Sequence, residues 1–94
     1  IAEQARDHPD SMLGLTIVDD QDREIGSVES VVVEKANCRF HLVFSSDEFL
    51  GMGGDDILVP VEAIAKQGDK LLLSSMTAVM PYLSMDYLLV REDD

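Results

Sequence analysis

The chain has 94 residues, enough for one domain and too few for two. Its apolar fraction of 46% is that of a globular protein, and no apolar run approaches the roughly 20 residues that a bilayer-spanning helix needs. Nineteen acidic side chains against seven basic ones leave a formal net charge of −12, which argues against direct nucleic-acid binding and permits basic protein partners.

Residues 1–11, through His8-Pro9-Asp10, show no sustained apolar face and read as a leader, partly helical or disordered. From Leu13 the pattern changes. Leu15 and Ile17 predict a first strand, reversed by Asp19-Asp20-Gln21-Asp22, with Asp22 placed for a left-handed conformation that Asp tolerates. A second strand runs from about Glu24 to Lys35. Its alternation slips, since Gly26 and Val28 share one face and Val31 and Val33 the other; a bulge between them restores one buried face and bends the strand toward a barrel. After a turn at Ala36-Asn37, Cys38, Phe40, Leu42 and Phe44 alternate with Arg39, His41, Val43 and Ser45, the pattern of a half-buried antiparallel strand.

Ser45 to Asp56 reads as a loop, Ile57 to Val59 as a fourth strand, and Pro60 to Ile64 as a short helical turn with Pro at a favoured start. Gln67-Gly68-Asp69 turns the chain into a fifth strand at Lys70 to Leu73, and Ser75 to Met80 reads as a serine-capped helical turn. Short strands at this spacing predict a small all-β barrel of five to six mostly antiparallel strands with one or two helical turns.

The order of features resembles the PRC-barrel family. The residues that carry the likeness are Leu13-Gly14 with Thr16-Ile17-Val18-Asp19, then Glu24-Ile25-Gly26-Ser27-Val28 leading into Val31-Val32-Val33. The loop Phe49-Leu50-Gly51-Met52-Gly53-Gly54 follows, and then Ile57-Leu58-Val59-Pro60-Val61-Glu62-Ala63-Ile64. The resemblance spans residues 12–83. It departs where Asp22 stands for the glycine usual in the first hairpin, and where acidic Asp55-Asp56 follow the glycine loop. The family includes the cytoplasmic domain of the photosynthetic reaction-centre H subunit, the C-terminal domain of a ribosome maturation factor, and stand-alone proteins of bacteria and archaea. The resemblance implies a non-enzymatic adaptor that docks on another protein. Two alternatives stand beside it: a ribosome-assembly accessory that binds a basic ribosomal protein, and a barrel that binds a small ligand.

The residues themselves carry no visible catalysis. A phosphate loop needs Lys-Ser/Thr after its last glycine, and Gly54 is followed by two aspartates. A dinucleotide fingerprint would need a third glycine at Asp56. Asp20, Asp22 and Glu24 have the first spacings of a calcium loop, but Ile25 and Val31 stand where its glycine and closing glutamate belong. Cys38 and His41, three apart on a strand, fall on opposite faces, so Cys38 reads as a small core residue and His41 as a surface one. His8 lies in the leader, and no base stands near Ser74 or Ser75 in sequence. Catalytic, cofactor-binding and metal-ligating residues are therefore all expected to be none.

The glycines shape a connector, yet one that carries Phe49, Leu50 and Met52, which are candidates for a partner-binding surface. Residues 84–94 form a C-terminal extension, read as an extra strand or a dimer segment. Tyr82, Met85, Tyr87 and Leu88 are candidates for self-association, because Tyr and Met are enriched at interfaces. The expected partners are a second copy, giving a homodimer, and an unidentified protein, without membrane insertion. Cys38, the single cysteine, cannot form an internal disulfide, and a reducing, cytoplasmic setting is the expectation.

Overall fold

A computed structural model describes residues 2–45, 56–74 and 79–91. One carboxylate organises the first reversal, between strands β1 (Thr16–Val18) and β2 (Glu24–Glu34). Asp19 is 3% exposed. Its Oδ1 accepts from the backbone N–H groups of Gln21 and Arg23, each at 2.9 Å, and its Oδ2 accepts from Arg23 Nε at 2.8 Å. These bonds, the Arg23 amide foremost, hold the Asp19 carboxyl below the usual carboxylate range. Asp22 takes a φ of 62° in the turn, as its position predicts.

β2 is the spine of the sheet. It pairs with β3 (Phe40–Ser45) in a register that runs from Val28↔Phe44 to Ser30↔Val43, so Glu29 is the extra residue of the predicted bulge. The bulge brings Val28 and Val31 into the same core. The other edge of β2 serves two strands in succession. β1 takes its first half, Glu24 to Ser27, and β8 (Tyr87–Val90) takes Val31 to Glu34. At Gly26 a Cβ would lie 2.5 Å from the Ser45 carbonyl oxygen and 2.6 Å from Phe44 Cδ2, so only glycine fits against the aromatic ring there.

β4 (Asp56–Pro60) extends the sheet beyond β3, and the predicted helical turn is a 3-10 turn over Val61–Ala63. The chain then forms a hairpin of β5 (Ile64–Gln67) and β6 (Lys70–Leu73), turning on Gly68 at φ 64°. β6 runs parallel to β1, and β7 (Met80–Pro81) pairs with β4. The path is β5-β6-β1-β2-β3-β4-β7, with β8 on β2. The domain is thus all-β and barrel-like, mostly antiparallel, and its described strands number eight, more than the five to six expected. β5 escapes sequence reading because only Ile64 of its four residues is buried.

One side of the sheet holds the main core, with Phe44, Met12, Ile17, Leu42, Ile57 and Leu71 among its fully buried residues. The first residues belong to it. Helix α1 (Ala2–Asp7) and a 3-10 turn over Pro9–Met12 bury Ala5, Pro9 and Met12 and contact β3 and the Val61–Ala63 turn. Helical structure was one of the two expectations for this segment. Its core contact went unseen because it rests on one small alanine and two residues beside a breaker.

Two residue assignments reverse. Cys38 lies exposed in the β2–β3 turn, at φ 59°, where its N–H donates to the Glu34 carbonyl at 2.8 Å. His41 is 2% exposed. The alternation that put it outside assumed one covered face, whereas β3 is covered on both: Val43 on the His41 side is buried with Val32 and Leu58 in a second, smaller cluster. For the helical turn expected at Ser75 to Met80, residues 75–78 lie outside the described residues, and Met80 begins β7 instead.

Candidate interaction surface

The segment that covers the second cluster is also the most apolar exposed part among the described residues. β7 lies along β4, with Met80 opposite Leu58. The Tyr82 N–H donates to the Asp56 carbonyl at 3.3 Å, and a 3-10 turn over Ser84–Asp86 follows. The Asp86 carbonyl then accepts from the Lys35 N–H at 3.0 Å, which delivers the chain to β8 on the far side of β2. The strap between the two strands runs over the outer face of β4, β3 and β2. Tyr82 and Tyr87 pack there on Val32, Val43 and Leu58, their ring centroids 5.9 Å apart. Tyr87 meets His41 edge-on at 5.3 Å and 74°, and His41 Nδ1 lies 3.1 Å from the Arg39 carbonyl oxygen. Burial pushes the Tyr87 phenol up, and the nearby Glu34 and Asp86 charges add to the shift.

Covering the outer face turns other apolar groups toward solvent. Met85 is 78% exposed, Leu83 59%, and Leu88 and Leu89 55% each. Among the described residues the other large exposed apolar side chains are Met80, on the same segment, and Leu13. β8 pairs with β2 on one edge, and no described strand lies on its other edge. Two hollows flank β8. One of about 380 Å³ is lined by Glu34, Lys35, Ala36, Asp86 and Tyr87 at its start. The other, about 230 Å³, lies at its end, with Leu13, Val31, Leu89 and Val90 on its walls and Asp10, Glu29 and Arg91 at its polar margin.

The four self-association candidates divide. Tyr82 and Tyr87 are half-buried against their own chain, while Met85 and Leu88 face outward. Leu83 and Leu89 were missed. The signal was present in Tyr87-Leu88-Leu89-Val90: four apolar residues in a row on a strand make both of its faces apolar, more than one covered face accounts for. Phe49, Leu50 and Met52 lie outside the described residues, as do Gly51, Gly53 and Gly54. Among the described residues no group of three or more His, Cys, Asp or Glu side chains is placed to hold a metal ion, and no helix is long and apolar enough to cross a membrane.

A family model for the PRC-barrel domain matches residues 8–80. The match takes in Pro9 and Met12 and stops at Met80, so the strap and β8 lie beyond it. No curated protein matches the chain.

Proposed function

The chain belongs to the PRC-barrel family, and on that premise we propose that it is a non-enzymatic adaptor that self-associates and docks on a second protein. The observation that carries the reading is the concentration of exposed apolar side chains on Met80 to Leu89, beside a strand edge on which no described strand lies. Soluble domains seldom leave such a patch uncovered, and an open edge is a template for another chain. The self-association surface comprises Met85 and Leu88, now with Leu83 and Leu89. Tyr82 and Tyr87 act mainly as the packing that holds this surface in place.

The second part, docking on a different protein through Phe49, Leu50 and Met52, rests on the sequence of the loop alone. The charge of −12 favours a basic protein surface as its partner over nucleic acid. A lone cysteine is compatible with a reducing, cytoplasmic setting. Sedimentation velocity across a concentration series tests self-association: the wild type is expected to move from monomer to dimer, and Leu88→Asp to remain monomeric at the same concentrations. A wild type that stays monomeric throughout refutes it. Leu50→Asp, compared with wild type for partners retained from a host lysate, tests the loop.

A further inference from the structure

Resting on the self-association reading, we propose that two copies exchange β8, so that the Asp86–Val90 segment of each chain seats on β2 of the other. The acceptor site is one whose occupant is already on view. Along Val31 to Glu34, β2 offers an edge that takes β8 in a single register, from Val31↔Val90 to Glu34↔Tyr87. Beside that edge Val32, Val43 and Leu58 receive the Tyr87 ring, and the Lys35 N–H donates to the Asp86 carbonyl at 3.0 Å. A second copy presents the same segment, so each of these contacts forms equally well between chains.

The connection from β7 to β8 has the build of a hinge. It is short, running from Tyr82 to Asp86, and short connections favour exchange when they open. Tyr82 is anchored to β4, its N–H on the Asp56 carbonyl, and Asp86 is anchored to Lys35 of the β2–β3 turn. Between these two points the Ser84–Asp86 turn is closed by the Asp86 N–H on the Leu83 carbonyl at 3.1 Å. Opening that turn lengthens it from about 2 to about 3.3 Å per residue and lets β8 reach a second chain.

Within one chain β8 has the advantage of a high local concentration, so exchange needs a gain that the single chain lacks. Leu83 and Met85 supply it. They are 59% and 78% exposed, on the stretch that changes conformation. In the exchanged pair the two opened stretches cross at the twofold, where Leu83 and Met85 of both copies pack on one another. Charge favours this mode over a contact between outer faces. Each chain carries −12, and two such surfaces repel. Exchange brings no new pair of charged faces together: Glu34, Lys35, Asp86 and Arg91, which flank β8, keep the neighbours they have within one chain. It also uses the edge of β2 and not the outer edge of β8.

The test is a lock between β8 and β2 in the full chain, with Cys38→Ser to remove the exposed native thiol. Val33 and Leu88 are opposite each other, and antiparallel partners have Cα atoms about 4.5–5.5 Å apart, within disulfide range. Val33→Cys with Leu88→Cys, oxidised as a dilute monomer, is expected to close the bond within one chain and to lose dimerisation on concentration. Oxidised as a dimer, it is expected to run as a covalent dimer in denaturant, and reductant should return it to single chains. Val32→Cys with Leu89→Cys repeats the test one position along, should the first pair weaken the reduced dimer. A fully oxidised dimer that separates into single chains in denaturant, or a locked monomer that still dimerises, overturns the exchange and leaves self-association standing. A wild type that is monomeric at every concentration overturns both.

Discussion

On its inner side the β2–β3–β4 sheet meets α1, the first strand and the β5–β6 hairpin, which bury one large cluster; on its outer side the only cover among the described residues is the strap that ends in β8. Among the described residues the inner cluster has thirteen buried side chains, the outer one three with two tyrosines laid over them. The inner cover is made of elements whose apolar side chains point inward. The outer cover is a thin segment, apolar on both of its own sides, so covering one face exposes another. A second surface is thereby made by the act of sealing the first, and this links packing to the proposed interaction.

The comparison breaks first at Phe44, the largest fully buried side chain among the described residues. Phe44→Ala is expected to cost about 3–5 kcal/mol, because the removed ring leaves a cavity that a curved sheet cannot close. Denaturant unfolding measures it, and a loss below about 1 kcal/mol would mean that the inner cluster does not carry the fold. Gly26→Ala tests the same ring from the other side. The added methyl meets a backbone carbonyl as well as Phe44, so an expected loss of about 1–3 kcal/mol reflects overpacking. Combining it with Phe44→Leu should recover part of the loss, since the smaller side chain vacates the ring's space.

On the outer face, Tyr87→Ala is expected to cost less, about 1–2 kcal/mol, because the side chain is only half-buried. It should also expose His41, which diethyl pyrocarbonate modification reads directly; His8 is exposed already and serves as the reference. If Tyr87→Ala costs as much as Phe44→Ala, the outer cluster is a second core and not a covered patch.

How much of this was legible in the sequence follows the same division. The inner core was read from alternation: Ile17, Val31, Leu42, Phe44 and Leu71 sit at period two on strands that face one way. Even the bulge was visible, because Val28 and Val31 fall out of phase. The outer face was not legible on β3, since a run of four buried residues from His41 to Phe44 contains a histidine that alternation assigns to solvent. Its burial depends on Tyr87, 46 positions later, and no local pattern reports a contact between those two residues. Cys38 was misplaced by the same extrapolation. Alternation carried the strand two residues too far into a turn whose closing position demands a positive φ.

The first hairpin offers a smaller effect, with its direction fixed by charge. The Asp19 carboxyl is depressed in the folded state, chiefly by the Arg23 amide. Its contribution to stability is therefore present above the unfolded-state carboxylate pKa and lost as the pH falls through the folded one. Asp19→Asn keeps an acceptor oxygen and removes the charge. The variant is expected to have a lower Tm at pH 7, and the gap from wild type should narrow on acidification below the usual carboxylate range. A gap that is constant across that range would mean that the charge contributes nothing and the turn is held by hydrogen-bond geometry alone.

The smallest expected effect lies under the docking point of the strap, where Lys35 in the β2–β3 turn bonds to Asp86. Cys38 closes that turn at φ 59°, a conformation that costs a residue with a Cβ about 1–2 kcal/mol. Glycine relieves the strain but has more freedom to lose on folding, by roughly 0.5–1 kcal/mol. Cys38→Gly is therefore expected to gain about 0.5 kcal/mol, a rise in Tm of a few degrees. Asn, which tolerates the same conformation without the entropy cost of glycine, should gain at least as much. Both changes act on the turn and leave the strap's hydrogen bond in place, so neither should alter the sedimentation of the protein. If either one does, the strap and the turn move together, and the outer cover is coupled to the β2–β3 hairpin more tightly than a single backbone bond explains.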